Sequence, residues 1–179
     1  MKDLTGRSIY LRLAEIQDAE FIHSIRIDPR YNRHLSAVNG GVDSQEAWLR
    51  EYKIREAADL EYYFIVCRRR DHMAIGTIRL YDFIGDRDSF GLGSWILTED
   101  KTASAALESV SLAYCCGFQV LGFRACHLDV RKENTKVISF HKKFGVVATG
   151  DDAQNVYYSM TPTIFNKFAE KNKRFLTAY

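Results

Sequence analysis

The sequence predicts an α/β protein with a mixed, mostly antiparallel sheet of six to seven strands and helices on both faces. Runs of aromatic and β-branched residues separated by turn residues fill positions 61–97, which is typical of two consecutive hairpins. A helix-period pattern then covers positions 103–121, and another strand pattern covers 123–130. This order of strands and helices indicates a sheet packed between helices.

The first third of the chain predicts one strand and two helices. Ser8–Leu13 is apolar and β-prone, which indicates the first strand. Ala14–Ile27 reads as a helix that ends at Asp28, because the residue before a proline avoids helical angles. A second helix is expected to begin with Asp43 or Ser44 as its N-cap and to continue to about residue 56. The apolar stripe of the first helix consists of Ile16, Ala19, Ile22 and Ile25.

The middle of the chain predicts three strands in two hairpins. They cover Glu61–Cys67, Met73–Phe83 and Ser89–Leu97, and consecutive hairpins favour antiparallel pairing. Gly76 lies inside the second strand, where a glycine indicates a bulge or a close contact.

The last third predicts helices that alternate with strands. The helix over 103–121 places Leu107, Val110, Tyr114 and Phe118 three and four residues apart. A strand over 123–130 follows, then a short helix over 134–144 that ends at Gly145. Asn155–Met160 is expected to be the last strand, and a tail helix is expected from Thr163 to about Phe175.

Length and composition predict one globular domain over residues 1–179. The chain has 46% apolar and 27% charged residues, which is ordinary for a globular protein. A net charge of +2 does not suggest a nucleic-acid partner. No apolar run reaches the roughly 18 residues that span a bilayer, so no membrane role is expected. The N-terminus lacks the apolar segment of a signal peptide, and a cytoplasmic location is therefore expected.

Cysteine and histidine spacing gives no sign of a metal site. The four cysteines, Cys67, Cys115, Cys116 and Cys126, contain no Cys-x-x-Cys pair, and we interpret them as buried small hydrophobes. A catalytic cysteine is the alternative. His127 and Asp129 would share one face of a strand, but two candidate ligands without a third do not predict a metal.

The stretch from Ser94 to Ala106 predicts a phosphate-binding cradle. A short apolar strand, Ser94–Leu97, leads into the small and polar turn Lys101–Ala106, which opens the long helix. The first turn of a helix leaves N–H groups without partners and carries partial positive charge, and small residues let a phosphate approach them. The alternative is a plain strand-to-helix connection, since the turn contains no glycine.

The stretch from Ser94 to Gly145 resembles the GCN5-related N-acetyltransferases, the acetyl-CoA-dependent GNAT superfamily. The family's pyrophosphate loop, Arg/Gln-x-x-Gly-x-Gly/Ala, falls on Lys101-x-x-Ser104-x-Ala106. Its asparagine falls on Asn134, and its Tyr-x-Lys-x-Gly-Phe ending falls on His141, Lys143 and Gly145-Val146. Gly93-Ser-Trp-Ile96 resembles the branch with ribosomal-protein alanine and amino-sugar acetyltransferases. The lead basic residue, the first loop glycine, the tyrosine and the final phenylalanine depart from the family pattern.

The resemblance implies that acetyl-CoA is the cosubstrate and that no metal is used. The loop backbone would hold the phosphates, Asn134 would bond the pantetheine arm, and a backbone N–H near Ile96 or Leu97 would donate to the thioester carbonyl. The implied cofactor-binding residues are Trp95, Ile96, Leu97, Lys101, Thr102, Ala103, Ser104, Ala105, Ala106, Asn134 and Lys143.

Acetyl transfer to an amine also needs a proton donor for the thiolate and a way to deprotonate the ammonium. The donor would be His141, at the family's tyrosine position. The position at which this branch often carries a glutamate is Gly91, so the base is open: Asp82, Glu99, Asp129 or a water chain.

The segment after the first helix predicts an anion-binding lip for the acceptor. It is basic and aromatic, and guanidinium groups match phosphate and carboxylate geometry. The alternative is a solvated loop. The segment slightly favours a nucleotide-linked amino sugar as acceptor; a protein N-terminus and a non-catalytic CoA-binding member of the fold are the alternatives, and a homodimer is possible. The implied substrate-binding residues are Arg26, Arg30, Tyr31, Arg33 and His34.

Overall fold

The fold is a single eight-stranded sheet with helices on both faces. We describe it from a computed structural model that covers residues 4–35 and 38–173. The strands lie in the order β1-β2-β3-β4-β5-β6-β8-β7, and every neighbouring pair is antiparallel except β5 and β6. The predicted mixed, mostly antiparallel architecture is confirmed, but the strand number of six to seven was too low.

The strands and helices have the following bounds. The strands are β1 Leu4–Thr5, β2 Ile9–Leu13, β3 Tyr62–Arg68, β4 Ala74–Ile84, β5 Ser89–Leu97, β6 Ala125–Arg131, β7 Val147–Asp151 and β8 Asn155–Met160. The helices are α1 Ala19–Ile27, α2 Pro29–Asn32, α3 Val42–Ala57, α4 Ala105–Cys115, α5 Thr135–Phe144 and α6 Pro162–Asn172.

Most differences from the predicted elements lie at their ends. The predicted first helix divides into a 3₁₀ turn, Ile16–Asp18, and α1. The long helix begins at Ala105 rather than 103, and its last turn is a π-helix, Cys116–Val120. The N-cap of α3 is Gly41, so Asp43 and Ser44 lie within its first turn. The predicted tail helix extends to Phe175, and its last two positions lie outside the described residues.

Two hydrophobic clusters fill the space on the two sides of the sheet. The larger packs α4, α5 and α6 on the strands through residues such as Val110, Phe144 and Phe165. The smaller packs α1 and α3 against β3 through Ile22 and Leu49, among others. Burial of these apolar faces is the main favourable term in folding, and it fixes the sheet that carries the site.

The four cysteines are buried, as predicted. Burial raises the pKa of the Cys116 thiol to about 12 and that of Cys126 well above its ordinary value. A reactive thiol needs the opposite shift, so neither has the character of a nucleophile.

The two parallel strands pair only at their beginnings, and this opens the sheet. The ladder between β5 and β6 joins Ser89–Gly91 to Ala125–His127. Beyond Gly91 and His127 no further pairs join them, and the remainder of both strands lines a cavity. No helix within the described residues is long and apolar enough to cross a membrane.

Candidate active site

A cavity of about 1040 Å³ lies in the gap between β5 and β6. One wall is Leu92–Leu97 of β5, and the facing wall is Leu128–Arg131 of β6. The first turns of α5 close one end, and the segment from α1 to α2 forms a lip over the other side. Such concave sites, with apolar walls and a few polar groups, are the usual places for small ligands.

A bulge in β5 shapes the wall near the centre of the cavity. Ser94 has a left-handed backbone, with φ of 47°, where the pairing of β4 with β5 changes register. The buried Thr77 hydroxyl donates to the Ser94 carbonyl at 2.8 Å and holds the bulge. At Gly76 a Cβ would overlap the carbonyl oxygen of Ile96, which explains the glycine in β4. The predicted close contact at Gly76 is confirmed.

The loop before α4 brings two charged side chains, Glu99 and Lys101, to the cavity, and Ala106 of α4 lines it beside them. The Lys101 ammonium lies 3.6 Å from the Glu99 carboxylate. Thr102, Ala103, Ser104 and Ala105 do not line the cavity. The Ser104 hydroxyl donates to the Glu108 carboxylate at 2.6 Å instead.

Asn134 stands at the N-cap of α5 and at the edge of the cavity. Its side-chain oxygen accepts from the Val137 N–H at 3.3 Å, which leaves the amide NH₂ group to donate to a ligand. Lys143 lies on the exposed side of α5 and does not line the cavity.

His141 is a buried side chain at the α5 wall. It is only 4% exposed and packs against the rings of Trp95 and Phe140, whose centroids lie 5.8 and 5.6 Å away. Burial lowers the pKa of His141 to about 4, so the imidazole is neutral at neutral pH. Its Nδ1 has no hydrogen-bond partner among the described residues.

The three candidate carboxylates differ in position. Glu99 and Asp129 line the cavity, whereas Asp82 does not. Asp82 has a left-handed backbone with φ of 49° in an irregular part of β4, and its carboxylate lies 3.2 Å from Nε2 of His127. The other ring nitrogen of His127 lies 2.7 Å from the Ser89 hydroxyl. Asp82 therefore belongs to a polar chain beside the cavity.

All five residues predicted for the acceptor lip line the cavity, but their charges are not equally available. Arg30 is bound to Asp28 at 2.6 Å and stacks over the Tyr31 ring at 5.1 Å. Within residues 4–35 and 38–173, Arg26 and Arg33 form no ion pair. The Tyr31 hydroxyl accepts from the Glu99 N–H at 3.2 Å, which joins the lip to the loop before α4.

Several cavity residues had no clear signal in the sequence. Tyr81 and Arg131 line the cavity from β4 and β6, on the sheet face opposite the larger cluster. The alternation of each strand could have indicated that face, but not that it borders a site. In the part of the chain described here, no three His, Cys, Asp or Glu side chains are grouped closely enough for a metal.

Comparisons with known proteins agree with this architecture. Residues 8–147 match the family model described as an acetyltransferase (GNAT) domain. No curated protein sequence matches the chain significantly. The structure of FdhC, a nucleotide-linked sugar GNAT, is 44% identical, covers 97% of this chain and 98% of its own, and has a TM-score of 0.91.

Two more distant structures share the fold. Spermidine N-acetyltransferase from Vibrio cholerae, in complex with CoA and spermine, is 19% identical, with 89% of this chain and 98% of that one covered and a TM-score of 0.77. The ribosomal-protein-S5-alanine acetyltransferase from Vibrio fischeri is 15% identical, with 90% and 97% covered and a TM-score of 0.76.

Proposed function

The chain belongs to the acetyltransferase (GNAT) domain family and is an acetyl-CoA-dependent N-acetyltransferase, and we propose that its acceptor is a nucleotide-linked amino sugar. The observation that carries this proposal is the pair of arginines, Arg26 and Arg33, that line the same cavity as the cofactor loop without an ion-pair partner among the described residues. The 44% identity to a nucleotide-linked sugar GNAT supports it.

The cofactor is proposed to lie between β5 and β6. Acetyl-CoA supplies the activated acetyl group. The first turn of α4 would hold the pyrophosphate through backbone N–H groups, and Lys101 would add positive charge. The pantetheine arm would lie along β5 in the place of the missing neighbour strand, with the Asn134 amide donating to it. Trp95, Ile96 and Leu97 form that wall.

The proposed acetyl transfer uses the bulge, the buried histidine and a carboxylate. A backbone N–H near Ile96 would donate to the thioester carbonyl where negative charge develops. The amine forms the new bond to the acetyl carbon, and the bond to sulfur breaks. His141, neutral at neutral pH, would donate a hydrogen bond to the leaving thiolate, and the proton that the thiolate takes up would come from the acetylated amine, directly or through water. Of the candidate bases, Asp129 and Glu99 line the cavity, and a water chain stays the alternative.

The acceptor side is proposed to bind a diphosphate. Arg26, Arg33 and His34 face the cavity from the lip, and two guanidinium groups suit the two phosphates of a nucleotide-linked sugar. A protein N-terminus needs no such group, and the ribosomal-protein enzyme, at 15% identity, shares only the fold with this chain. A single domain over 1–179, a cytoplasmic location and a homodimer stay predictions.

The test compares arginines that differ in their partners. The double variant Arg26→Gln, Arg33→Gln should raise the acceptor KM at least about tenfold, because charge-assisted hydrogen bonds to phosphate are lost. The matched control, Arg30→Gln, should raise it less, since Arg30 is already bound to Asp28. The KM for acetyl-CoA should change little in both. An unchanged acceptor KM in the double variant would count against an anionic acceptor.

A further inference from the structure

The carboxylate of Glu108 is fully buried beneath the loop that leads into α4. It lies in the first turn of that helix with 0% exposure. It accepts hydrogen bonds from the Ser8 N–H at 2.8 Å, from the Ser8 hydroxyl at 2.6 Å and from the Ser104 hydroxyl at 2.6 Å. Burying a carboxylate costs folding free energy even when it is hydrogen-bonded, so the position of Glu108 indicates a role besides packing.

Ser8 connects the same cluster to a second hydroxyl of the loop. The Ser8 hydroxyl lies 2.6 Å from the Thr102 hydroxyl and 3.2 Å from that of Ser104. The Glu108 carboxylate on α4 and Ser8, which directly precedes β2, therefore hold both hydroxyls of the loop over 101–106. The contact with Gly6 is equally tight, because a Cβ there would overlap a Glu108 oxygen.

The hydroxyls of Thr102 and Ser104 lie at the N-terminal end of α4, where serine and threonine side chains commonly cap a helix. Ser104 already has helical backbone angles, with φ of −98° and ψ of −3°, and the Thr102 carbonyl accepts from the Ala105 N–H at 3.1 Å. Ser104 is the N-cap of α4, and Thr102 closes the turn that precedes it. A serine or threonine at this end normally accepts from an N–H of the first turn, but Ser104 makes no such bond and Thr102 bonds to Ser8.

We propose that Glu108 is a positioning residue of the cofactor site. It holds the Ser104 hydroxyl directly and the Thr102 hydroxyl through Ser8, which keeps both hydroxyls away from the N–H groups of the first turn of α4. Those N–H groups then stay available for the pyrophosphate of acetyl-CoA. This inference rests on the proposed use of the loop over 101–106 as the cofactor cradle. In this arrangement the loop binds phosphate through its backbone N–H groups, and its hydroxyls only have to be kept from bonding to those N–H groups.

The experiment measures acetyl-CoA affinity by calorimetry in three proteins. The Glu108→Met variant fills the same space but releases both hydroxyls, and a competing cap should weaken binding roughly fivefold. Adding Thr102→Ala and Ser104→Ala to that variant removes the competing groups, so the affinity should return toward that of the wild type. A residue that only supports the fold would not be rescued in this way.

Two results would overturn the inference while leaving the proposed function intact. One is wild-type affinity in Glu108→Met; the other is a triple variant that binds no more tightly than Glu108→Met. A wild-type protein that does not bind acetyl-CoA would instead overturn the cofactor cradle itself. Thermal unfolding checks that each variant is folded, and if Glu108→Met does not fold, Ser8→Ala, which releases Thr102 alone, is compared with Ser8→Ala, Thr102→Ala in the same way.

Discussion

His141 shows how a residue's surroundings set its chemistry. Its imidazole lies between aromatic rings with 4% exposure, and burial lowers its pKa to about 4 because water no longer stabilises the charged form. The neutral ring can donate a hydrogen bond to the leaving thiolate but carries no charge at neutral pH. The resemblance to the acetyltransferase family implied the donor role of His141, which stands at the family's tyrosine position, but its burial depends on packing.

Replacing His141 should reduce turnover more than cofactor affinity. The His141→Ala variant is expected to lower kcat at least about tenfold, the low end for a lost acid–base group, with little change in acetyl-CoA affinity. Steady-state kinetics together with calorimetric titration would measure both. Unchanged kcat would remove His141 from the mechanism.

The lowered pKa of His141 also predicts how stability depends on pH. The unfolded chain takes up a proton at about 6.5 and the folded chain only at about 4, so unfolding gains protons between these values. The contribution of the neutral His141 to the free energy of unfolding is therefore fully present above pH 6.5. As the pH falls toward 4, the free energy of unfolding decreases by about 3 kcal/mol.

Denaturant unfolding at several pH values would test this. In the His141→Phe variant, the decrease in the free energy of unfolding that His141 causes between pH 6.5 and 4 should be absent. The control variant His23→Gln, at a partly exposed position of α1, should still show that decrease. Parallel pH dependence in His141→Phe and the wild type would contradict the assignment.

At the scale of elements, the site is built from a strand pair that separates and a bulge that bends one of the two. The β5–β6 ladder ends at Gly91 and His127, and Ser94 turns the β5 backbone at a left-handed φ of 47°. A non-glycine residue in that region costs about 1 kcal/mol or more. The hydroxyl of Thr77 on β4 holds the bulge from the neighbouring strand.

Removal of that hydroxyl should weaken the bulge. The variant Thr77→Val keeps the shape but loses the 2.8 Å bond to the Ser94 carbonyl, and should lower the free energy of unfolding by about 1 kcal/mol. It should also lower kcat, since Ile96 follows the bulge. The control variant Thr77→Ser keeps the hydroxyl donor, so it should retain most of the wild-type free energy of unfolding and most of the wild-type kcat. If Val and Ser variants lose equal activity, the bond does not hold the site.

Elements with strong apolar patterns were predictable, and exposed or strained ones were not. The strands β2 to β6 and β8 and the helices α1 and α3 to α6 follow from periodicity and turn residues. The two-residue β1 is too short for a pattern, and all five residues of β7 are exposed, so no apolar alternation marks it as a strand. Asp82 was a candidate base because it is an available carboxylate, but in the irregular part of β4 its side chain contacts His127.

At the scale of the molecule, one sheet carries both halves of the site. The larger cluster supports α4 and α5, whose first turns face the cofactor side, and the smaller cluster supports α1, whose end carries the acceptor lip. The order of elements could be predicted from sequence because it follows local patterns. The buried contact of Glu108 with Ser8 could not, since it joins residues 100 positions apart.

The most direct test of the account is acetyl transfer by the wild-type protein to a panel of acceptors. The panel contains nucleotide-linked 3-amino and 4-amino sugars, the same sugars without the nucleotide, a peptide with N-terminal alanine, and spermidine. We expect kcat/KM to be highest for a nucleotide-linked sugar, by at least about a hundredfold over the same sugar without the nucleotide. The reason is that Arg26 and Arg33 would have no diphosphate to bind in the complex with the nucleotide-free sugar. Equal or faster transfer to the peptide, or none to any nucleotide-linked sugar, would contradict the account.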